Sequence, residues 1–304
     1  MISVLSGGVG AARLLTALRA NLPGLELEAI VNVGDDLVLH GLTICPDLDT
    51  ITYTLAGLNN EVTGWGLTGE SWRVMDELES LGGAAWFRLG DRDLATHLYR
   101  TQRLAEGATK SEVARELAAR HGVGVRLLPV SDDPLATFLD TEVGELSFQE
   151  YFVGRRHAVA VRAIRVEGAA GATAAPGVLA SLDAATRIVI APSNPLLSIG
   201  PILAVAPVRD RLAARREDVI AVSPIVGGAA LKGPADRLLT EMGYPATCVG
   251  VAQYYRDLVG TLVIDEVDAT HADAVRELGM DCVVTTTVMA DPANAARLAR
   301  VIAS

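Results

Sequence analysis

The junction at the start of the chain constrains the fold more than any other feature. Residues 2–5 are an apolar run typical of a buried strand, residues 6–10 are a glycine-rich turn, and residues 11–19 have helical spacing. A strand that leads into a helix through glycines points backbone N–H groups and the positive end of the helix dipole at one place. The junction therefore predicts either a nucleotide-phosphate site in an α/β sheet or a tight turn that binds no ligand.

Apolar runs and helical stretches alternate along the rest of the chain. Half of the 304 residues are hydrophobic and 4% are aromatic, which is typical of buried parallel strands with helices on both faces. We expect a Rossmann-like parallel sheet core (residues 1–60 and 175–304), with an inserted helical and small β subdomain (residues 61–174) that forms part of the substrate crevice. The predicted strands of the central sheet are residues 2–5, 25–33, 187–191, 218–223, 246–249, 261–264 and 281–285. The predicted helices are residues 11–19, 46–58, 69–81, 94–105, 110–120, 234–242, 251–258, 269–278 and 292–302. Residues 126–167 are predicted to form a small antiparallel sheet.

Composition argues against several functions. The net charge of −11 disfavours a nucleic-acid groove, which requires clustered lysine and arginine. Cys45, Cys248 and Cys282 are widely spaced and include no C-x-x-C pair, so we expect neither a zinc site nor a disulfide framework. No apolar stretch reaches the roughly 18 uninterrupted residues that a membrane span needs. We therefore expect a cytoplasmic protein that binds neither nucleic acid nor membrane.

The glycine turn matches a dinucleotide-binding fingerprint only in part. Gly8 and Gly10 correspond to the first two glycines, but Arg13 stands where a third glycine would allow close helix–strand packing. The turn also lacks the Gly-Lys-Ser/Thr of a Walker loop. An NAD(P)-dependent oxidoreductase is weakened by this but stays an alternative, as does a nucleotide-binding regulatory module without catalysis.

Carboxylates cluster in sequence after the second predicted strand, at Asp35, Asp36, Asp47 and Asp49. Two or three such oxygens, together with substrate phosphates, suit Mg²⁺. Asp47 and Asp49 also follow Pro46 in the first turn of a predicted helix, where they can simply compensate the helix dipole, and Asp35-Asp36 can form a plain turn. The spacing alone leaves both interpretations open.

Later stretches also carry groups that can bind anions. Arg88 and the Asp91-Arg92-Asp93 segment can hold a phosphate or a polar ring, or can form a solvated, salt-bridged helix start. Two loops that follow predicted buried strands are better placed, because loops at strand carboxyl ends carry ligands in α/β sheets. These loops contain Ser193-Asn194-Pro195 and Ser223 to Gly228, and Lys232 follows the second one; ordinary βα turns are the alternative.

Motifs for a nucleophile or a histidine metal site are missing from the sequence. There is no G-x-S-x-G elbow, and the five histidines have no ligand spacing, so we interpret them as structural or surface residues. His97, one helical turn after Asp93, is the only histidine near a candidate site.

Taken together, several motifs resemble one family. The stretches SGGVGAARLL, VNVGDD, HGLTICPDLDT, WFRLGDRDLATHLYRTQ, FQEYFV, APSNPLLSIGPILAV and SPIVGGAALKGPA, in this order, are similar to the 2-phospho-L-lactate transferase family, whose actinobacterial members are called phosphoenolpyruvate transferases. The resemblance implies Mg²⁺-dependent transfer of a phosphoenolpyruvyl or 2-phospho-L-lactyl group in coenzyme F(420) biosynthesis. The donor is a guanosine diphospho compound, the acceptor is the ribityl hydroxyl of the deazaflavin Fo, and GMP leaves. The resemblance further implies a Rossmann-like fold and a homodimer, and the composition with CPDLDT favours the phosphoenolpyruvyl donor.

The resemblance also implies roles for particular residues. Asp49 and Arg88 match positions tied to Fo, and we add Asp91 and Arg92 to that site as an expectation. Our hypothesis is that Asp49, with Asp47 or Asp35, holds Mg²⁺ and orients the Fo hydroxyl. The residues expected to bind the donor nucleotide are Gly7, Gly8, Val9, Gly10, Asn32, Ser193, Asn194, Ser223, Gly227, Gly228 and Lys232.

Overall fold

The computed structural model describes residues 1–62 and 64–304, and strands and helices alternate along most of them. The strands are β1 (Ile2–Ser6), β2 (Leu27–Val31), β3 (Leu37–Leu39), β4 (Leu42–Ile44), β5 (Arg126–Pro129), β6 (Ala136–Thr141), β7 (Gly144–Ser147), β8 (Val161–Glu167), β9 (Arg187–Ile190), β10 (Val219–Val222), β11 (Ile225–Val226), β12 (Ala229–Ala230), β13 (Thr261–Ile264) and β14 (Asp281–Val284). The helices are α1 (Gly8–Asn21), α2 (Pro46–Leu55), α3 (Arg73–Ser80), α4 (Asp91–Ala105), α5 (Lys110–Arg120), α6 (Val178–Ala184), α7 (Gly200–Ala204), α8 (Ala206–Ala214), α9 (Ala235–Glu241), α10 (Cys248–Tyr255), α11 (Ala272–Glu277) and α12 (Pro292–Ala303).

A parallel sheet of seven strands forms the centre of the protein, in the order β14-β13-β10-β9-β1-β2-β5. Leu5 of β1 pairs with Ile30 of β2 on one side and with Ile190 of β9 on the other. The chain builds outward from β1 through β2 and β5, then crosses to the other side of β1 and continues through β9 to β14. This reversal between β1 and β9 is the switch point at which open α/β sheets bind ligands. The predicted α/β class with a Rossmann-like parallel sheet is confirmed.

Burial on both faces explains why the central strands are mostly apolar. Every residue of β1, β2 and β10 is buried. Helix α1 contacts β1 and also packs against α2 and α12, with Leu14, Leu15 and Leu18 fully buried. At about 25 cal/mol per Å² of buried apolar surface, such strands and helices provide the main driving force for this architecture.

The chain between α2 and α6 adds a helical layer and a small sheet. Helices α3, α4 and α5 follow one another, and β7, β6 and β8 form an antiparallel sheet of three strands. The prediction of a small antiparallel sheet over residues 126–167 included one strand too many. Strand β5 instead pairs in parallel with β2 at the edge of the central sheet. The reason is local: β5 is mostly an apolar run, which suits a strand covered on both faces. The division into core and inserted subdomain stays a prediction.

The strand prediction for residues 246–249 is wrong. Thr247 is extended and precedes α10, which begins at Cys248. A short apolar run does not distinguish a strand from a buried helical turn by periodicity, and here the helix forms. Helix α3 is also shorter than predicted, since Trp72 lies before its first residue. None of the described helices is long and apolar enough to cross a membrane.

Candidate active site

A cavity of about 790 Å³ lies at the switch point of the sheet. Its floor is formed by the segments that follow β1, β9, β10 and β14, which is where the carboxyl ends of parallel strands place their loops. The start of α2 and parts of residues 64–66, 86–97 and 148–157 form the opposite walls. A cavity of this volume is within the range of small-molecule binding sites.

The glycine turn after β1 is held tightly against its surroundings. Gly8 has φ +67° and donates its N–H to Asp47 Oδ1 at 2.7 Å, and the Ser193 hydroxyl donates to the Gly7 carbonyl at 2.7 Å. A Cβ on Gly10 would lie 2.2 Å from the Pro192 carbonyl oxygen. The glycines are therefore required by packing as well as by backbone conformation. The N-cap residue Gly7 has no side chain to cap α1, and of the first N–H groups of this helix Asp47 accepts only that of Gly8 in the described structure. The next N–H groups of the first turn therefore face the cavity and are available to an anion.

Asp47 and Asp35 form one group of carboxylates beside this turn. Asn32 donates from Nδ2 to Asp47 Oδ2 at 2.9 Å, and its own Oδ1 accepts from the Gly34 N–H at 2.8 Å. Asp35 Oδ1 is buried and has no hydrogen-bond partner within residues 1–62 and 64–304. Burial raises the pKa of Asp47 to about 6, despite the hydrogen bonds from Asn32 and Gly8. Burial and the charge of Asp47 raise the pKa of Asp35 well above its ordinary value. A cation bound by both carboxylates would offset the free-energy cost of burying their negative charges.

Asp49 and Asp93 form a second group, which is paired with basic side chains. Asp49 Oδ2 accepts from Arg100 Nη1 at 3.0 Å, and Asp49 Oδ1 accepts from Arg100 Nη2. Tyr53 donates its hydroxyl to Asp93 Oδ1 at 2.6 Å. His97 lies between the two carboxylates, with Nδ1 at 3.8 Å from Asp49 Oδ2 and Nε2 at 3.4 Å from Asp93 Oδ2. Burial by itself would lower the pKa of Arg100, but its neighbours, Asp49 foremost, together raise that pKa above its ordinary value, so the guanidinium stays charged.

Asp49, Asp93 and His97 offer one ligand atom each within 4.8 Å of one another and could hold a metal ion. The Asp49 carboxylate is already neutralised by Arg100, whereas Asp35 and Asp47 have no basic side chain bonded to them in the described structure. The oxygen and nitrogen ligand atoms of either group could therefore bind a cation. The unpartnered Asp35 oxygen favours the group formed by Asp35 and Asp47.

Aromatic side chains cover much of the remaining wall. Trp86 and Phe87 meet edge to face with ring centroids 5.7 Å apart. Phe148 and Phe152 stack at 5.3 Å, and His157 lies 5.3 Å from Phe152. All five side chains line the cavity. Flat faces of this kind suit a planar ring system.

The structure brings most of the expected site residues to this cavity. Those that line it are Gly7, Gly8, Val9, Gly10, Asp35, Asp47, Asp49, Arg88, Ser193, Asn194, Ser223 and Lys232. The expected residues that do not line it are Asn32, Asp91, Arg92, Gly227 and Gly228. Asn32 does not reach the cavity but donates a hydrogen bond to Asp47, which lines it.

The off-cavity residues have structural partners instead. Asp91 accepts from the Ser71 hydroxyl at 2.6 Å and from the Val74 N–H at 3.1 Å, so it organises the start of α3. The Arg92 side chain donates to the Thr68 carbonyl. The Gly227 N–H donates to Asp268 Oδ2 at 3.0 Å. In these positions the side chains and amides are occupied by the protein itself.

Other cavity residues were not expected from the sequence. His97, expected to be a structural or surface residue near a candidate site, is buried and lines the cavity, and its spacing of four residues from Asp93 on one helix was the available signal. Arg13 lines the cavity on the same face of α1 as Val9 and Gly10, because it lies four residues beyond Val9 and three beyond Gly10. No local pattern assigned a site role to Tyr53, the aromatic wall, Ser198 or residues 287–289, since only the fold brings them to one cavity.

Known proteins match this chain along its whole length. It is 44% identical over 305 residues to a phosphoenolpyruvate transferase of Streptomyces griseus, covering 98% of this chain and 96% of that protein. It is 34% identical over 299 residues to a 2-phospho-L-lactate transferase of Methanosarcina mazei, covering 98% of each. A solved structure of a Bacillus halodurans protein of the UPF0052 family superposes with a TM-score of 0.64 at 14% identity, covering 100% of this chain and 98% of that one, which shows a shared fold.

The family assignment follows from the extent of these matches. Residues 2–300 match the sequence profile described as 2-phospho-L-lactate transferase CofD. The match spans the glycine turn, both carboxylate groups and the loops after β9 and β10, so it includes the whole cavity floor. The resemblance inferred from the motifs is thereby confirmed, and this chain belongs to the 2-phospho-L-lactate transferase CofD family.

Proposed function

We propose that this protein transfers a phosphoenolpyruvyl group from a guanosine diphospho donor to the ribityl hydroxyl of Fo, with release of GMP, in coenzyme F(420) biosynthesis. Its relatives named phosphoenolpyruvate transferase in Streptomyces griseus and Streptomyces coelicolor are 44% and 43% identical. The relatives named 2-phospho-L-lactate transferase in two Methanosarcina species are 34% and 35% identical. This difference favours the phosphoenolpyruvyl donor, with the 2-phospho-L-lactyl donor as the second candidate.

One observation supports the proposal most strongly: a turn suited to binding an anion and several buried carboxylates line the same cavity. Phosphoryl-group transfer depends on positioning and charge neutralisation more than on a protein nucleophile. The first turn of α1 is suited to donor phosphates, with Ser193 and Asn194 beside it. Lys232 lines the same region, and its Nζ lies 2.6 Å from where a Cβ on Gly64 would be. Because Gly64 has no side chain, the Lys232 ammonium group can lie close to the glycine turn.

The opposite walls suit the acceptor. The aromatic side chains at 86–87 and 148–157 present faces for a deazaflavin ring, and Arg88 is adjacent to them. Arg88 is half-exposed, pairs with Asp76 at 2.5 Å and lies 5.3 Å from the Trp72 ring. Asp49 lines the same cavity as these walls and the glycine turn, and it would accept a hydrogen bond from the acceptor hydroxyl.

Magnesium fits the residues present. Asp35 and Asp47 would hold it, because Asp35 Oδ1 is buried and unpartnered in the described structure and both carboxylates have raised pKa values. A bound Mg²⁺ supplies positive charge to the phosphate oxygens. Asp49, which the sequence hypothesis gave as a Mg²⁺ ligand together with Asp47 or Asp35, is instead paired with Arg100 and serves the acceptor hydroxyl.

The test is a single-turnover incubation with Fo, Mg²⁺ and each guanylated donor, with GMP and the coupled deazaflavin measured. We expect GMP release that requires Fo, and faster turnover with the phosphoenolpyruvyl donor. An oxidoreductase would instead change nicotinamide absorbance, and a regulatory module would bind nucleotide without GMP release. Asp49→Asn is expected to lower turnover to a small but measurable residual rate, whereas Asp210→Asn, at an exposed position outside the cavity, is the matched control.

The homodimer and the cytoplasmic location implied by the resemblance are part of the same proposal. Sedimentation equilibrium on the purified chain tests the dimer, and fractionation of the native cell tests the location.

A further inference from the structure

Helix α4 carries a buried arginine that the reaction as described above does not use. Arg100 is 2% exposed and does not line the cavity. Its guanidinium nevertheless reaches Asp49, which does. An arginine is almost never fully buried unless it is paired, so its position calls for an explanation.

The contact occupies Asp49 in a specific way. Arg100 Nη1 donates to Oδ2 at 3.0 Å and Nη2 donates to Oδ1, so both carboxylate oxygens are engaged by one planar group. A bidentate pair fixes the plane of the carboxylate as well as its position. Each oxygen keeps further lone-pair capacity, and Asp49 presents it to the cavity. What remains is an oriented acceptor for a hydroxyl.

Arg100 is itself held by its neighbours. Its Nη1 also lies 3.2 Å from His97 Nδ1 and 3.4 Å from the Thr43 carbonyl oxygen. Asp93, His97 and Arg100 are spaced by four and three residues and share one face of α4. The three side chains therefore form one rigid row behind Asp49, and Tyr53 closes it by its bond to Asp93.

We propose that Arg100 is a positioning residue, which orients the Asp49 carboxylate toward the acceptor hydroxyl. This inference rests on the proposed function. A purely structural anchor between α2 and α4 is the competing explanation, but buried ion pairs are weak contributors to stability compared with apolar packing. A lysine would provide the same charge without the two-point geometry, so the distinction can be measured.

The experiment is a double-mutant cycle with Arg100→Lys and Asp49→Asn, read as kcat and KM for the acceptor and as KM for the donor. In the wild-type background, Arg100→Lys is expected to lower kcat with Fo about 100-fold, as expected for a reacting group displaced by about 1 Å. The donor KM is expected to stay within about twofold, because the donor phosphates contact other residues. In the Asp49→Asn background the same change is expected to have less than a twofold further effect, since Arg100 acts through Asp49.

Arg103→Lys is the matched control. It makes the same change on the same helix, in a part-exposed pair with Glu106 and Glu116, and is expected to leave kcat unchanged. Arg100→Gln replaces Arg100→Lys if the lysine variant does not fold, as judged by its thermal unfolding.

The outcomes separate the inference from the function on which it rests. Loss of activity that is additive with Asp49→Asn, or that follows thermal stability alone, overturns the positioning role while the proposed function stands. A wild-type protein that neither binds Fo in calorimetry nor releases GMP overturns both. Non-additivity with an unchanged donor KM supports the inference.

Discussion

The buried pair between Lys110 and Asp36 leads to a prediction whose size follows from the geometry. Lys110 Nζ lies 2.6 Å from Asp36 Oδ2, and each side chain is 12% exposed. Lys110 is the first residue of α5, where a cation is unfavourable against the helix dipole, so its charge is stabilised by acidic neighbours, Asp36 foremost. At an effective dielectric constant of about 20, the attraction over this distance is about 6 kcal/mol before desolvation is subtracted.

Replacing Lys110 with Met removes one partner and leaves the Asp36 carboxylate nearly buried. Breaking a buried pair costs about 3–5 kcal/mol, and the residual exposure of both groups places this case near 3 kcal/mol. At about 2 °C per kcal/mol for a large domain, the melting temperature is expected to fall by about 6 °C. Adding Asp36→Asn removes the stranded charge and is expected to recover most of the loss.

Urea unfolding followed by circular dichroism measures these differences. Arg276→Met is the control, because it breaks an exposed pair with Asp273, and it is expected to change stability by less than about 0.5 kcal/mol. If Lys110→Met were as stable as Arg276→Met, or if the double variant were no better than the single one, the pair would not be coupled as the structure indicates.

Two further predictions concern the cavity floor. Gly10→Ala is expected to destabilise the protein by about 3 kcal/mol in urea unfolding and to weaken GDP binding in calorimetry, because its Cβ would lie 2.2 Å from the Pro192 carbonyl oxygen. Gly171→Ala is the neutral control, because its Cβ would meet nothing within 4 Å. Equal effects of the two changes would contradict the packing argument. Burial raises the pKa of Asp47 from 3.8 to about 6, so neutral Asp47 stabilises the fold fully below pH 4 and this contribution is lost as the pH rises to 6. At 1.36 kcal/mol per pH unit, Asp47→Asn is expected to gain about 3 kcal/mol relative to wild type between pH 4 and pH 7 in metal-free buffer. A difference between the two proteins that does not vary with pH would refute this assignment.

Local patterns predicted those parts of the fold that depend on near neighbours in sequence. The glycine junction becomes β1 and α1, and Pro46 begins α2. Thr109 and Glu112 form the capping box that starts α5. Capping and turn formation involve residues three or four apart, so the sequence contains all the information they need.

Side-chain direction could not be predicted in the same way. The segment that starts α4 was a clear candidate, yet Asp91 and Arg92 face α3 and Thr68, whereas Asp93 and His97 face the cavity. A shift of one residue turns a helical side chain by about 100°, so motif membership alone does not decide which members meet a substrate.

The sequence by itself determined the alternation of strands and helices, the glycine turn that leads into α1, and the family to which the chain belongs. Only the tertiary structure decided which carboxylate does what. Asp47 is held by Gly8 and Asn32, 39 and 15 residues away, and Asp49 by Arg100, 51 residues away. These pairs exist because β1 and β2 are neighbours in the sheet, α2 packs against α1, and α4 packs against β4, the strand that leads into α2. Buried charges take the partners that the packed fold brings within reach, and their spacing along the chain does not specify those partners.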